Sequence, residues 1–228
     1  MRLSIVIPTL DEEDSLRPSL AQALELTDDV WVSDGGSRDK TVELARGLGA
    51  QVVEGAPGRG GQLNRGAEAA RGDLLLFLHA DTVLPSDVLE QLAEALDGGA
   101  QAGGFHVRYE GDGDGGGHRL SEVGHRLVRW RTSLFKWPLG DQAQFVTRSA
   151  FEAAGGFPDW PILEDLHLIR RLSRRGTVCV LDGPVRSSAR RFANQGVLRT
   201  AATNWLIWLL YFVGFSPRLL ARLYRHVR

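Results

Sequence analysis

Five consecutive large apolar residues, Leu74-Leu75-Leu76-Phe77-Leu78, constrain this chain more than any other feature. A strand that is apolar on both faces must be covered on both, as in the middle of a parallel sheet. The segments before it agree. A short apolar run at 3–7 is stopped by Pro8, 30–32 reads as the next strand, ending at Asp34, and 51–54 as a third. Between them, Leu16, Leu20, Ala23 and Leu24 recur at helical spacing, and 41–48, 64–70 and 88–96 read as further helices. This βαβα order predicts a doubly wound, mostly parallel α/β sheet flanked by helices, and 228 residues suffice for one such domain. Ligands of these sheets bind beyond the carboxyl ends of the strands. Residues 9–12, 33–39 and 79–82 are therefore the ones to watch.

The pattern loosens after residue 100. A strand is expected near 103–109, a glycine-rich loop at 111–117 (GDGDGGG), an Arg-rich helix within 118–134, and short helices at 150–154 and 165–175. The expected organisation is one domain over 1–200 with a helical extension at 201–228. In that extension, 204–215 is apolar all round but shorter than the roughly 20 residues a spanning helix needs. Beyond Pro217, Leu219, Leu220, Leu223, Tyr224 and Val227 share one helical face, with Arg218, Arg222 and Arg225 off it. A basic amphipathic helix beside Trp-rich apolar sequence suits a membrane surface; packing on the same chain or in a homodimer is the alternative.

Charge is unevenly spread. Residues 167–228 hold twelve arginines, no lysine and one acid, Asp182, although the whole chain has a net charge of −1. That excess either meets an anionic partner or neutralises the acidic first part within the fold. One cysteine, Cys179, excludes a disulfide framework and a Cys-based zinc site. The opening MRLSIVIPTLDEE has no basic stretch ahead of a long apolar run, so no signal peptide is expected and the cytoplasm is the expected location, with peripheral contact to the inner membrane face through 204–228. No nucleic-acid motif is present, and the basic region lacks a stacking pattern.

Several acids fall just past predicted strands: Asp11, Asp34, Asp39 and Asp81. There they can accept hydrogen bonds from a ribose or base, or hold a cation together with a diphosphate. Singly, each can equally be a solvated or capping acid; Asp39 could cap the helix that follows it. Gly58-Arg59-Gly60-Gly61-Gln62 precedes a helix and permits close phosphate approach, or is simply a flexible turn. Glu164-Asp165 opens another helix and can cap it or act as a general base. The histidines show no metal-ligand spacing.

Taken in order, IVIPTLDEE (5–13), VSDGGSRDKT (32–41), GRGGQLNRGAEAARGDLLLFLHADT (58–82) and GDQAQFVTRSAFEAAGGFPDWPILEDLHLIRRL (140–172) resemble the inverting glycosyltransferases of family 2, with the GT-A fold. The resemblance implies a hexosyltransferase that uses a nucleotide-diphosphate sugar, by default a UDP-sugar, and a divalent metal, Mn2+ or Mg2+. Pro8, Thr9, Asp11 and Glu12 would shape the nucleotide pocket, and Asp34 beside Gly35 would meet the base or ribose. Arg59, with Gly60 and Asn64, would lie near the nucleotide. Asp81 matches the last acid of the family's metal-binding D-x-D element. Asp165, or less favourably Glu164, matches the catalytic base, and Gly140, Asp141 and Gln142 would form the acceptor side. The acceptor is expected to be a small molecule or lipid-linked.

Two elements depart from the family. The D-x-D position reads His79-Ala80-Asp81, which lowers the negative charge offered to a metal. The common Q-x-x-R-W element is absent, and Arg190-Arg191 could take over its diphosphate contact. The L-H-A-D-T variant resembles a small bacterial subgroup associated with radical-SAM proteins and arsenosugar biosynthesis. Two other classes compete: a nucleotidyltransferase, which would release pyrophosphate but normally carries a basic Gly-rich N-terminal loop, and a non-catalytic sugar-nucleotide-binding or membrane scaffold protein.

Overall fold

The computed structural model describes residues 1–110, 126, 128–188 and 197–227. The strands are β1 (Leu3–Thr9), β2 (Val30–Asp34), β3 (Gln51–Glu54), β4 (Leu74–Phe77), β5 (Thr82–Val83), β6 (Ala100–Glu110), β7 (Gln144–Thr147) and β8 (Thr177–Ser188). They form one sheet in the order β3-β2-β1-β4-β7-β6-β8-β5. The first four pair in parallel, as the apolar runs require. β7 then runs antiparallel to both β4 and β6, β8 returns parallel to β6, and β5 closes the edge antiparallel to β8. The sheet is thus parallel where the sequence reading placed parallel strands and mixed beyond them. The expected strand at 103–109 begins earlier, at Ala100.

The helices are α1 (Leu16–Leu26), α2 (Thr41–Gly47), α3 (Arg59–Ala69), α4 (Val88–Asp97), α5 (128–135), α6 (Arg148–Ala154), α7 (Glu164–Ser173), α8 (Val197–Val213) and α9 (Pro217–Val227). They cover both faces of the sheet, and β4 shows why. Leu74, Leu76 and Leu78 join one core with Leu16 and Leu20 of α1 and Leu92 of α4. Leu75 and Phe77 point the other way and join a second core with Leu63 of α3, Phe151 of α6 and Leu166 of α7. Side chains of a strand alternate between faces, so a five-residue apolar run feeds two cores at once. Trp208 of α8 belongs to the second core. The glycine-rich 111–117, and 118–125 of the expected Arg-rich helix, lie outside the described residues.

α3 starts at Arg59, five residues before the predicted helix, so the glycines of 58–61 enter its first turn rather than a loop. Its other end is held by Arg148. That guanidinium donates to the carbonyls of Ala67, Ala70 and Gly72, placing a cation where the helix dipole is negative.

Candidate functional site

The carboxyl ends of β1 and β2 carry Thr9 and Asp34, side by side in the sheet register. Asp34 is buried, and its carboxylate accepts four hydrogen bonds. Thr9 Oγ1 (3.0 Å) and Ser37 Oγ (2.5 Å) reach Oδ1, while the backbone N–H groups of Gly36 (2.7 Å) and Ser37 (2.8 Å) reach Oδ2. Burial alone would raise its pKa, but the hydrogen bonds led by Ser37 outweigh it and hold the carboxyl below the ordinary aspartate value. Asp34 therefore shapes the turn from β2 with the lone pairs that the sequence reading assigned to a ribose or base.

The neighbouring loops are laced together from the same acids. Asp11 has a left-handed backbone (φ 54), donates its N–H to Ser37 Oγ, and accepts from Arg38 N through Oδ1. Glu12 N–H donates to Thr41 Oγ1. The Asp39 carboxylate accepts from Thr41 N at 2.9 Å, but the N-cap position of α2 is Lys40, so Asp39 closes a turn just ahead of the helix rather than capping it as expected.

Gln62 had no role in the sequence reading. It is buried in α3, and its Nε2 donates to the carbonyls of Thr9 (2.7 Å) and Ser33 (3.0 Å). This pins the first turn of α3 across the ends of β1 and β2, and so fixes Arg59. Asn64, expected near the nucleotide, clips α3 to Phe157 instead: its Nδ2 donates to the Phe157 carbonyl and its Oδ1 accepts the Phe157 N–H. Gly60 lies against the Pro158 carbonyl with no room for a Cβ.

Arg59 faces two groups. Its Nε lies 3.2 Å from Glu164 Oε1, and its guanidinium contacts His79 Nε2. Burial, and then the Arg59 charge, hold the His79 imidazole well below the usual histidine range, so the ring is neutral and Nε2 accepts. Glu164 is buried at the start of α7. Burial first, then the adjacent Asp165 carboxylate, push its carboxyl up to about 7 against the pull of Arg59. Asp165 is held at both oxygens: Oδ2 accepts Gly140 N at 2.7 Å and Oδ1 accepts Leu166 N at 2.7 Å. The left-handed Leu163 (φ 64) turns the chain so that both acids open α7 at its positive end.

Gly140 is the meeting point. A Cβ added there would touch Arg59, Asp165 Oδ2 and His79 Nε2 together. The structure thus brings together Arg59, His79, Gly140, Glu164 and Asp165 from four separate segments. Of the other two residues expected on the acceptor side, Asp141 accepts a hydrogen bond from Tyr109 Oη, a partner that sequence reasoning missed. Gln142 is fully buried. Its Nε2 donates to the Phe105 carbonyl, and its Oε1 accepts from Arg131, Thr132 and Leu139, so it braces the loop from behind. Pro8, Gly35 and Ala80 lie at the ends of β1, β2 and β4. Arg190 and Arg191 lie outside the described residues.

For a divalent ion the site offers the Asp81 carboxylate and the neutral His79 imidazole, two residues apart on the loop after β4. Among the described residues, no group of three or more His, Cys, Asp or Glu side chains gathers into a metal cage. The carboxylate fits an ion that completes its shell with diphosphate oxygens and water, as Mg2+ does, whereas the His79 Nε2 faces the Arg59 guanidinium and becomes a donor only when Arg59 turns away.

Residues 4–152 match the sequence pattern of Glycosyl transferase family 2. Glucosyl-3-phosphoglycerate synthase of Mycolicibacterium paratuberculosis is 34% identical over 143 residues, covering 55% of this chain and 44% of that protein. Undecaprenyl-phosphate 4-deoxy-4-formamido-L-arabinose transferase of Aeromonas hydrophila is 36% identical over 109 residues, covering 41% of this chain and 33% of that protein. The chain therefore spans less than half the length of these curated relatives. Among solved structures, glucosyl-3-phosphoglycerate synthase of Mycobacterium tuberculosis, in complex with Mn2+, uridine diphosphate and phosphoglyceric acid, superposes with a TM-score of 0.62 at 22% identity over 94% of this chain and 79% of that one. That likeness shows the same mixed α/β fold.

Proposed function

Because the chain belongs to glycosyl transferase family 2, we propose that it moves a hexose from a uridine-diphosphate sugar to an acceptor hydroxyl, inverting the anomeric centre. The observation that carries this reading is the convergence of Arg59, His79 and Asp165 on Gly140.

Asp165 is the general base. Two backbone N–H groups fix its carboxylate, which orients it for one proton-transfer direction. The acceptor hydroxyl loses its proton to Asp165 as its oxygen bonds the anomeric carbon. The bond from that carbon to the diphosphate oxygen breaks, and UDP leaves with the electron pair. Arg59, whose side chain is partly exposed, turns from Glu164 toward the diphosphate and meets the charge that develops there. Glu164 is the resting partner that keeps Arg59 in place. A divalent ion held by Asp81 and His79 would neutralise the leaving diphosphate. The L-H-A-D-T variant favours the arsenosugar-type subgroup and a small hydroxylated acceptor.

The test is UDP release from UDP-sugars with a panel of hydroxylated acceptors. Asp165→Asn is expected to cut turnover by about 10²–10⁴-fold, the usual worth of a general base, with UDP affinity retained. Turnover unchanged in this variant removes Asp165 from its role. Pyrophosphate release instead of UDP would mark a nucleotidyltransferase, and binding with no release on any acceptor would mark a non-catalytic binder.

A further inference from the structure

α8 divides its apolar residues between two directions. Ile207 and Trp208 are buried, and Trp208 enters the second core. Trp205, Leu206, Leu209, Phe212 and Val213 face outward, with exposures from 42% to 68%. The surface continues onto α5, where Trp130 and Leu134 are also more than half exposed. Ring contacts join the two helices: the Phe135 centroid lies 6.2 Å from Trp208, and Trp137 lies 6.2 Å from Phe212. α9 extends the same surface with exposed Leu219 and Leu223, while its Leu220 and Ala221 pack inward.

The helices that carry this surface are basic. Arg126, Arg129, Lys136, Arg218 and Arg222 are exposed, and neither 126–137 nor 197–227 contains an Asp or Glu. No helix among the described residues is long and apolar enough to cross a membrane. An apolar surface on helices whose charged side chains, among the described residues, are all cations matches a bilayer whose interior takes the aromatic and leucine side chains and whose anionic headgroups meet the arginines. A second copy of the chain fits less well, because a symmetric contact would set these basic helices against each other.

We propose that the joined outer faces of α5, α8 and α9 dock this protein onto an anionic lipid bilayer. Trp137, whose ring stacks on Phe212 of α8, lies three residues before Gly140 in the chain, which ties this surface to the candidate site. The docking itself does not depend on the transferase reading.

The full chain is floated with phosphatidylcholine vesicles and with vesicles carrying about one-third phosphatidylglycerol, at low and high salt. Binding is expected on the anionic vesicles, weakened by salt. Leu209→Glu with Val213→Glu should reduce the bound fraction by about tenfold or more. Both positions are more than half exposed, so the fold, checked by circular dichroism, should survive. Sedimentation without lipid should show a monomer. A folded wild-type chain that stays unbound on anionic vesicles overturns the proposal. So does a dimer that the same double variant dissociates, which would make this face a contact between copies.

Discussion

Arg59 and Glu164 meet across the site with Nε and Oε1 3.2 Å apart, one on the first turn of α3 and the other on the first turn of α7. Glu164 is the more buried partner, and its carboxyl titrates near 7. The pair is thus held at the edge of ionisation, with Arg59 able to leave a partner that is half-protonated at neutral pH.

This gives a pH prediction with a definite sign. The folded state keeps the Glu164 proton up to about 7, whereas the unfolded chain releases it near the ordinary value of 4.5. Between these values the folded state binds more protons, so the Glu164 contribution to stability is largest below about 4.5 and is lost as pH rises through about 7. Urea unfolding of wild type and Glu164→Gln across this range should show the wild type losing stability relative to the variant as pH rises. Parallel curves would contradict the raised pKa.

Gly140→Ala tests the convergence itself. The new Cβ would press hardest on the flexible end of Arg59, and more lightly on Asp165 and His79. Stability should change by no more than about 1 kcal/mol, while UDP affinity or turnover should fall by about tenfold or more. Normal activity in this variant would place the reacting atoms elsewhere.

Two adjacent glycines in α3 should respond in opposite directions. A Cβ at Gly60 meets the Pro158 carbonyl, a backbone atom that cannot swing aside, so Gly60→Ala should destabilise by about 1–3 kcal/mol. At Gly61 a new Cβ would meet only Arg65 Nη1 at 3.6 Å, an ordinary contact, so Gly61→Ala should stabilise the helix by about 0.5–1 kcal/mol. Thermal melts of the two variants that move the same way would refute this packing of α3.

The N-terminal half of the fold is legible in the sequence because its strands are short runs bounded by turn residues, although β1 continues through Pro8, the expected stop, to Thr9. β8 is not. Its Asp182-Gly183-Pro184 reads as a turn, yet Phe105 pairs with Leu181 and Val107 with Val185, so those three residues bulge out of one long strand. β7 has four residues, too few for a period to show. At the site, the acids at strand ends and the Glu164-Asp165 pair were visible from spacing. The roles of Gln62, Asn64 and Gln142 were not, because each side chain bonds the backbone of another segment. Gln62 did carry one signal, a polar residue set among three glycines at a helix start.

The most direct test of the account is calorimetric titration with UDP, GDP and ADP, each with Mn2+ and with chelator, on wild type and Asp81→Ala. The account predicts selective UDP binding that Mn2+ strengthens and that Asp81→Ala weakens. No binding of any nucleotide by the folded chain, or binding indifferent to both Mn2+ and Asp81→Ala, would contradict it.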